Sequence, residues 1–178
     1  MPAPIGKPDR TGRSSGVING RRGRNQKPPP GEPWVWLTRE LLCSPAWCAQ
    51  SINCRRLMDF LLVEHMNHAG QANGQLMATY DQLAKFGLTR SQISSAILEA
   101  ENLGLCRTVH GGKWAGSNQP SRYTLNFYWT PADLIPENNW RRVTAQKIEA
   151  FRSAKTAKKR VIQQWRKNQK SALKVELP

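Results

Sequence analysis

The apolar positions of this chain change period as it runs from Trp34 to Tyr128, and each change marks an element. Ile52, Leu57, Phe60, Leu61 and Met66 recur at helical spacing behind Ser51, which predicts a capped core helix from Ser51 to about His68. Before it, Thr38 caps a short helix through Cys43, and Ser44-Pro45 opens another with proline at the first helical position. After a loop over 67–74, Gln75 to Ala78 reads as a short strand. Thr79 with Gln82 three residues later forms a capping box, and the pairing recurs at Thr89 and Gln92. Between them, Phe86-Gly87-Leu88 places a glycine where one helix stops and the chain turns. In the second helix, Thr89 to Asn102, the positions Ile93, Ala96, Ile97 and Ala100 form one apolar stripe. The opposite face carries Ser91, Ser95, Leu98 and Asn102, flanked by Ser94 and Glu99, and Asn102-Leu103-Gly104 ends the helix. The period then falls to two. Leu105, Arg107 and Val109 alternate with Cys106, Thr108 and His110, and Ser121 to Tyr128 alternates likewise across the turn-rich stretch Gly111 to Pro120.

Strand, helix, tight turn, helix, strand, glycine-rich loop, strand is the order of a winged helix-turn-helix. The expected fold is therefore mainly α with a small β-wing, an α+β arrangement of the kind that binds duplex DNA. A recognition helix presents its N-terminal residues to base edges. The candidates are Thr89, Arg90, Ser91, Gln92, Ser94 and Ser95. Arg90 suits guanine or phosphate and Gln92 suits adenine; the serines either meet base edges and phosphates or only solvate the face. Glu99 repels phosphate, so it is expected beyond the contact zone or paired with a base-edge donor. In the wing, Lys113 at the tip and Arg107 and Arg122 on the arms suit phosphates. Trp114 is either an exposed wedge near the minor groove or folds back onto the wing to bury its ring.

Charge adds the flanks to this picture. The 178 residues carry a net +15, divided unevenly. Residues 1–31 hold seven Lys/Arg against one acid, residues 32–130 eight against seven, and residues 131–178 twelve against four. A near-neutral middle with basic flanks suits a polyanion, because neutralised phosphates release counterions. Three segments follow: a disordered basic arm over 1–33, a winged-helix domain over 34–130, and a basic helical extension over 131–178. Within the first arm, Arg21, Arg22 and Arg24 resemble the Arg-Gly-Arg core of an AT-hook. Arg21 and Asn25 stand where that motif has prolines, so a general phosphate-binding arm is the reading kept. The last helix, from about Trp140 into the 160s, carries Arg141, Arg142, Lys158, Lys159 and Arg160. Its apolar stripe, Ile148, Phe151, Ile162 and Trp165, is broken by Lys155 and Lys158, which argues against an extended coiled coil. It is expected to pack partly on the domain and partly on DNA or a second protomer, with an anionic membrane surface ranked last. Arg55 and Arg56 are expected on an exposed face, as DNA-backbone contacts or as solvated charges.

Other classes are disfavoured. No apolar run approaches the roughly 18 residues of a membrane span, and the N-terminus lacks the apolar core of a secretory signal. The expected location is cytoplasmic and nucleoid-associated. Cys43, Cys48, Cys54 and Cys106 are irregularly spaced, which favours reduced thiols over a zinc site shared with His65 and His68. There is no GxxxxGK[ST], no HExxH and no GxSxG, so neither an enzyme, a cofactor nor a small-molecule substrate is expected.

The order of segments, with the phrases LTRELLCSPAW (Leu37 to Trp47), EHMNHAGQANGQLMATYDQL (Glu64 to Leu83), ILEAENLGL (Ile97 to Leu105) and RYTL (Arg122 to Leu125), resembles a family of small winged-helix proteins. That family belongs to bacterial plasmids, prophages and integrative elements, mainly of alphaproteobacteria. The resemblance covers about residues 34 to 130 and implies a DNA-binding winged helix tied to regulation or replication of mobile elements. The expectation is a sequence-specific double-stranded-DNA-binding transcriptional regulator, with homodimerisation possible. The alternatives are an origin-binding replication or partition factor, a nucleoid-type coating protein, and an RNA-binding or protein-docking winged helix.

Overall fold

The computed structural model describes residues 31–114 and 117–175, and the main compact unit starts at Val35. Within the described residues, six α-helices accompany a three-stranded antiparallel sheet and a short two-stranded hairpin, a mixed α+β architecture. The N-terminal arm with Arg21, Arg22 and Arg24 lies outside the described residues. None of the described helices is long and apolar enough to cross a membrane.

Each early helix starts at its side-chain cap. Thr38 accepts the Leu41 N–H at 3.2 Å to open α1 (Arg39–Leu42). Ser44 accepts the Trp47 N–H at 3.1 Å to open α2 (Pro45–Cys48) and donates its hydroxyl to the Leu41 carbonyl at 2.7 Å, which binds the two short helices together. Ser51 caps α3 (Ile52–Asn67). The buried face of α3 is Cys54, Leu57, Met58, Leu61, Leu62 and His65. Phe60 and Met66, read from the spacing as core, are half-buried at its margin, and Phe60 packs edge-on to Phe86. Ile52 departs from expectation: it is 73 % exposed. At two residues before Cys54 it sits about 200° round the helix from the buried stripe.

The middle of the chain builds the sheet and a pair of helices. β1 (Leu76–Ala78) leads into α4 (Tyr80–Lys85), and a 3-10 turn at Arg90–Gln92 leads into α5 (Ile93–Asn102). β2 (Cys106–Val109), the hairpin strands β3 (Lys113–Trp114) and β4 (Ser117–Asn118), and β5 (Ser121–Leu125) follow. The sheet order is β1-β5-β2, with Leu76 opposite Tyr123 and Val109 and Met77 both opposite Arg122. Strand alternation therefore turns Leu76 and Tyr123 into the core and leaves Met77, Arg122 and Val109 in an exposed row.

The first capping box forms in full, with Thr79 and Gln82 bonding each other's backbone N–H groups. The second does not form. The Gln92 N–H closes onto the Thr89 carbonyl at 2.8 Å, so Thr89 makes no side-chain cap and the α-helix proper starts at Ile93. Both helices of the pair end on the same left-handed glycine device. After α4, Leu88 N–H reaches the Leu83 carbonyl around Gly87 (φ 100°); after α5, Leu105 N–H reaches the Ala100 carbonyl around Gly104 (φ 63°).

Asn73 holds the far side of the sheet. It is buried, accepts the Leu125 N–H at 2.7 Å, and donates to the carbonyls of Leu125, Tyr128 and Trp129 at 2.9 to 3.1 Å. β5 consequently stops at Leu125 rather than running to Tyr128. The chain then returns through a 3-10 turn at Asn139–Arg142 to α6 (Ala145–Val175). Trp140, Val143 and Ile148, residues the sequence placed in the extension, are buried in the same core as α3 and α5.

Gly104 doubles as the close-approach point for this return, since a Cβ there would lie 2.7 Å from the Asn139 backbone. Gly104→Ala is expected to cost about 2–4 kcal/mol from left-handed strain and displaced backbone. Thermal unfolding should show a midpoint lowered by about 5 °C or more; an unchanged midpoint would mean that the 139–142 turn does not pack there.

Candidate functional site

The apolar stripe of α5 is buried as its spacing predicts: Ile93, Ala96, Ile97 and Ala100. The opposite surface opens at its N-terminal end, where Thr89, Arg90, Ser91, Gln92 and Ser94 are exposed and Ser95 is half-buried. Leu98, one turn further on, is also exposed.

Two residues that the sequence reading did not single out hold this end in place, and both come from the first turn of α4. The Tyr80 hydroxyl bonds the Ser94 hydroxyl at 2.9 Å. Asp81 pairs with the Arg90 guanidinium. The Thr79 cap starts α4 at Tyr80, so the first two helical residues face the start of α5. Tyr80 also lines a cleft with Thr79, His110, Gly111, Gly112, Gln119 and Pro120, at the base of the β3–β4 hairpin. The α5 N-terminus, the start of α4 and the hairpin base thus make one continuous surface.

The wing candidates divide. Arg122 is exposed on the outer face of the sheet between Met77 and Val109. Arg107 lies at the foot of β2 and pairs with Glu137 at 2.8 Å. Lys113 and Trp114 belong to the hairpin strand that pairs with Ser117 and Asn118, and their side chains lie outside the described residues. Arg141 pairs with Glu40 at 2.8 Å and its guanidinium lies 5.1 Å from the centre of the Trp140 ring. Exposed Arg142 lines a hollow with Glu101, Gly104, Arg107 and Glu137. This group gathers at the C-terminal end of α5, away from Ser91 and Gln92. Lys158, Lys159 and Arg160 are exposed on α6.

Glu99 lies beyond the contact zone, as one of its two expected positions had it, and does not flank the outer face of α5. It is only 6 % exposed and turns away from the outer face of α5. Its carboxylate accepts the Ser51 N–H at 2.6 Å, the Ser51 hydroxyl at 3.0 Å and the Lys155 ammonium at 3.1 Å. One side chain thereby satisfies the N-terminus of α3 and anchors α6. The polar sequence neighbours of Glu99 suggested a surface position; its partners are 48 and 56 residues away, beyond any local pattern.

The two arginines of α3 are also engaged within the protein. The Arg55 guanidinium lies 4.5 Å from the centre of the Trp47 ring and donates to the Trp47 carbonyl at 3.1 Å, and Arg56 donates to the Gly87 carbonyl. Arg56 therefore helps hold the turn between α4 and α5. Cys54 and Cys106 are buried, whereas Cys43 and Cys48 are exposed. Burial, aided by the Glu99 charge, pushes the Cys54 thiol up, and burial with the Glu101 charge pushes Cys106 up to about 12, so both remain protonated thiols at neutral pH. His65 stacks on Tyr128 at 4.7 Å and His68 contacts Glu64, and the described residues include no cluster of three His, Cys, Asp or Glu side chains suited to a metal.

Removing the Glu99 carboxylate leaves a helix N-terminal N–H without its acceptor, so Glu99→Ala should cost about 2–4 kcal/mol. Lys155→Ala, at a half-exposed partner, should cost about 1 kcal/mol or less. Denaturant unfolding of both variants checks this; equal losses would place the stabilisation in the ion pair rather than in the cap. No family model, curated protein or solved structure matches this chain.

Proposed function

We propose that the chain is a winged helix-turn-helix protein that binds double-stranded DNA by sequence and acts as a transcriptional regulator. α4 and α5 form the helix-turn-helix, α5 enters the major groove, and the β2–β5 hairpin lies along the adjacent backbone. One observation carries the reading: the exposed N-terminal end of α5, the start of α4 and the hairpin base form a single surface. An isolated solvated helix would not require Tyr80 and Asp81 to fix the side chains at that end.

The chemistry of the surface suits base edges. Gln92 offers the paired donor and acceptor that read adenine, and Arg90 keeps guanidinium N–H groups beyond those that Asp81 occupies. Ser91 and Ser94 are short enough for the backbone to approach the groove. Leu98 offers an apolar contact to a thymine methyl. Burying Glu99 removes from this surface the carboxylate that would have opposed phosphate.

Selection from a random duplex library, followed by mapping of occupied sites in host DNA, tests the proposal. A single enriched motif located at promoters is expected; a lone peak at an origin would instead assign a replication or partition role, and uniform occupancy a coating role. Arg90→Ala and Gln92→Ala should each reduce preference for the selected site over random duplex by about 5- to 100-fold. A fall in affinity for both duplexes alike would show that α5 does not read sequence.

A further inference from the structure

Where the first turns of α6 meet the α2–α3 turn and the end of α5, the packing leaves a hollow of about 240 Å³. Buried Leu103 and Ile148, with half-buried Ala49 and Phe151, form its apolar wall. Gln50, Ser51, Glu99, Arg152 and Lys155 supply its polar lining. The lining comes from three separate stretches, 49–51, 99–103 and 148–155, so no local pattern announces it. A seam that served only to anchor α6 would gain dispersion contact by closing on itself.

Hydrogen-bond accounting decides what the hollow can hold. The Ser51 hydroxyl accepts the Cys54 N–H and donates to Glu99, and the Gln50 amide donates to the Trp47 carbonyl. The Glu99 carboxylate already takes two bonds from Ser51 and one from Lys155, which leaves little acceptor capacity for a cationic guest. Donors are in surplus. Arg152 places one bond on the Ala49 carbonyl and Lys155 one on Glu99, whereas a guanidinium carries five N–H groups and an ammonium three. Two cations and one carboxylate line the hollow, so a single negative charge completes the balance. A dianion such as phosphate would exceed it beside buried Glu99.

We propose that this seam is a binding site for a small apolar monocarboxylate. The hydrocarbon body lies against Leu103, Ile148 and Phe151, and the carboxylate meets Arg152 and Lys155. The fork of N–H groups on an arginine matches the planar carboxylate. The volume falls below the roughly 300 Å³ at which pockets for drug-sized ligands begin, which limits the guest to about the size of benzoate or hexanoate. The site stands independently of the DNA-binding reading. A guest in it shares Lys155 with Glu99, and so acts on the contact that joins α6 to α5.

The test titrates benzoate, and separately hexanoate, into the full isotopically labelled chain at constant ionic strength and follows the amide NMR signals. Saturable shifts at Gln50, Ser51, Leu103 and Phe151 are expected, with a Kd of about a millimolar. Neutral benzamide, of the same shape, should bind the native chain at least about tenfold more weakly than benzoate, because it lacks the charge that Arg152 and Lys155 meet. Benzoate should bind Arg152→Gln at least about tenfold more weakly than the native chain. Arg152→Lys, which keeps the charge and loses the fork, should fall between the two.

An absence of saturation up to about 10 mM for both acids overturns the proposal. So do saturable shifts confined to residues outside the seam, benzamide binding as tightly as benzoate, or full affinity in Arg152→Gln. If Arg152→Gln moves the seam amides before any acid is added, the comparison of benzoate with benzamide on the native chain decides alone.

Discussion

The buried carboxylate of Glu99 is the constraint on which the rest of the arrangement depends. Apolar burial is non-directional, so the stripe of Ile93, Ala96, Ile97 and Ala100 holds α5 against the core without fixing its rotation closely. A buried carboxylate is less tolerant, because it must meet donors or pay a large desolvation cost. Glu99 meets three: the Ser51 N–H, the Ser51 hydroxyl and the Lys155 ammonium. Two belong to the N-terminus of α3, where the helix dipole also favours a negative charge. Rotating α5 would break these bonds, so the same interaction keeps Ser91, Gln92 and Ser94 facing outward.

Acids elsewhere hold basic residues on the surface of the folded unit. Arg90 is held by Asp81, Arg107 by Glu137 and Arg141 by Glu40. Such exposed pairs add little stability, but they fix geometry and partly neutralise the folded unit. On the proposed reading, the surface around α5 supplies discrimination with few net charges, while Lys158, Lys159 and Arg160 stand exposed on α6. Lys155 stands at the junction and couples the two.

Legibility in the sequence follows distance along the chain. The caps at Thr38, Ser44, Ser51 and Thr79, and the glycine stops at Gly87 and Gly104, were readable because each bond spans only a few residues. The order of elements followed from them. Thr89 has the same local signature as Thr79, yet its hydroxyl cap is absent because the backbone carbonyl takes the Gln92 N–H in a tighter turn. Ile52 was read into the apolar stripe, but its position on the helix is about 200° from Cys54, on the solvent side. Asn73, Glu99 and the pairing of Arg107 with Glu137 were not readable, since their partners lie 30 or more residues away. Tyr80 and Asp81 were missed at shorter range, with partners 14 and 9 residues away, because their role appears only when α4 is folded back on α5.

The most direct test of the central claim, that the α5 N-terminus, the start of α4 and the hairpin base act as one DNA surface, is amide hydrogen exchange of the full chain with and without its selected duplex. The account predicts that protection appears together in the segments containing Tyr80 and Asp81, Arg90 to Ser95, and His110 to Gly112. Protection confined to α1, α2 or the 131–138 loop, with those three segments unchanged, would contradict it.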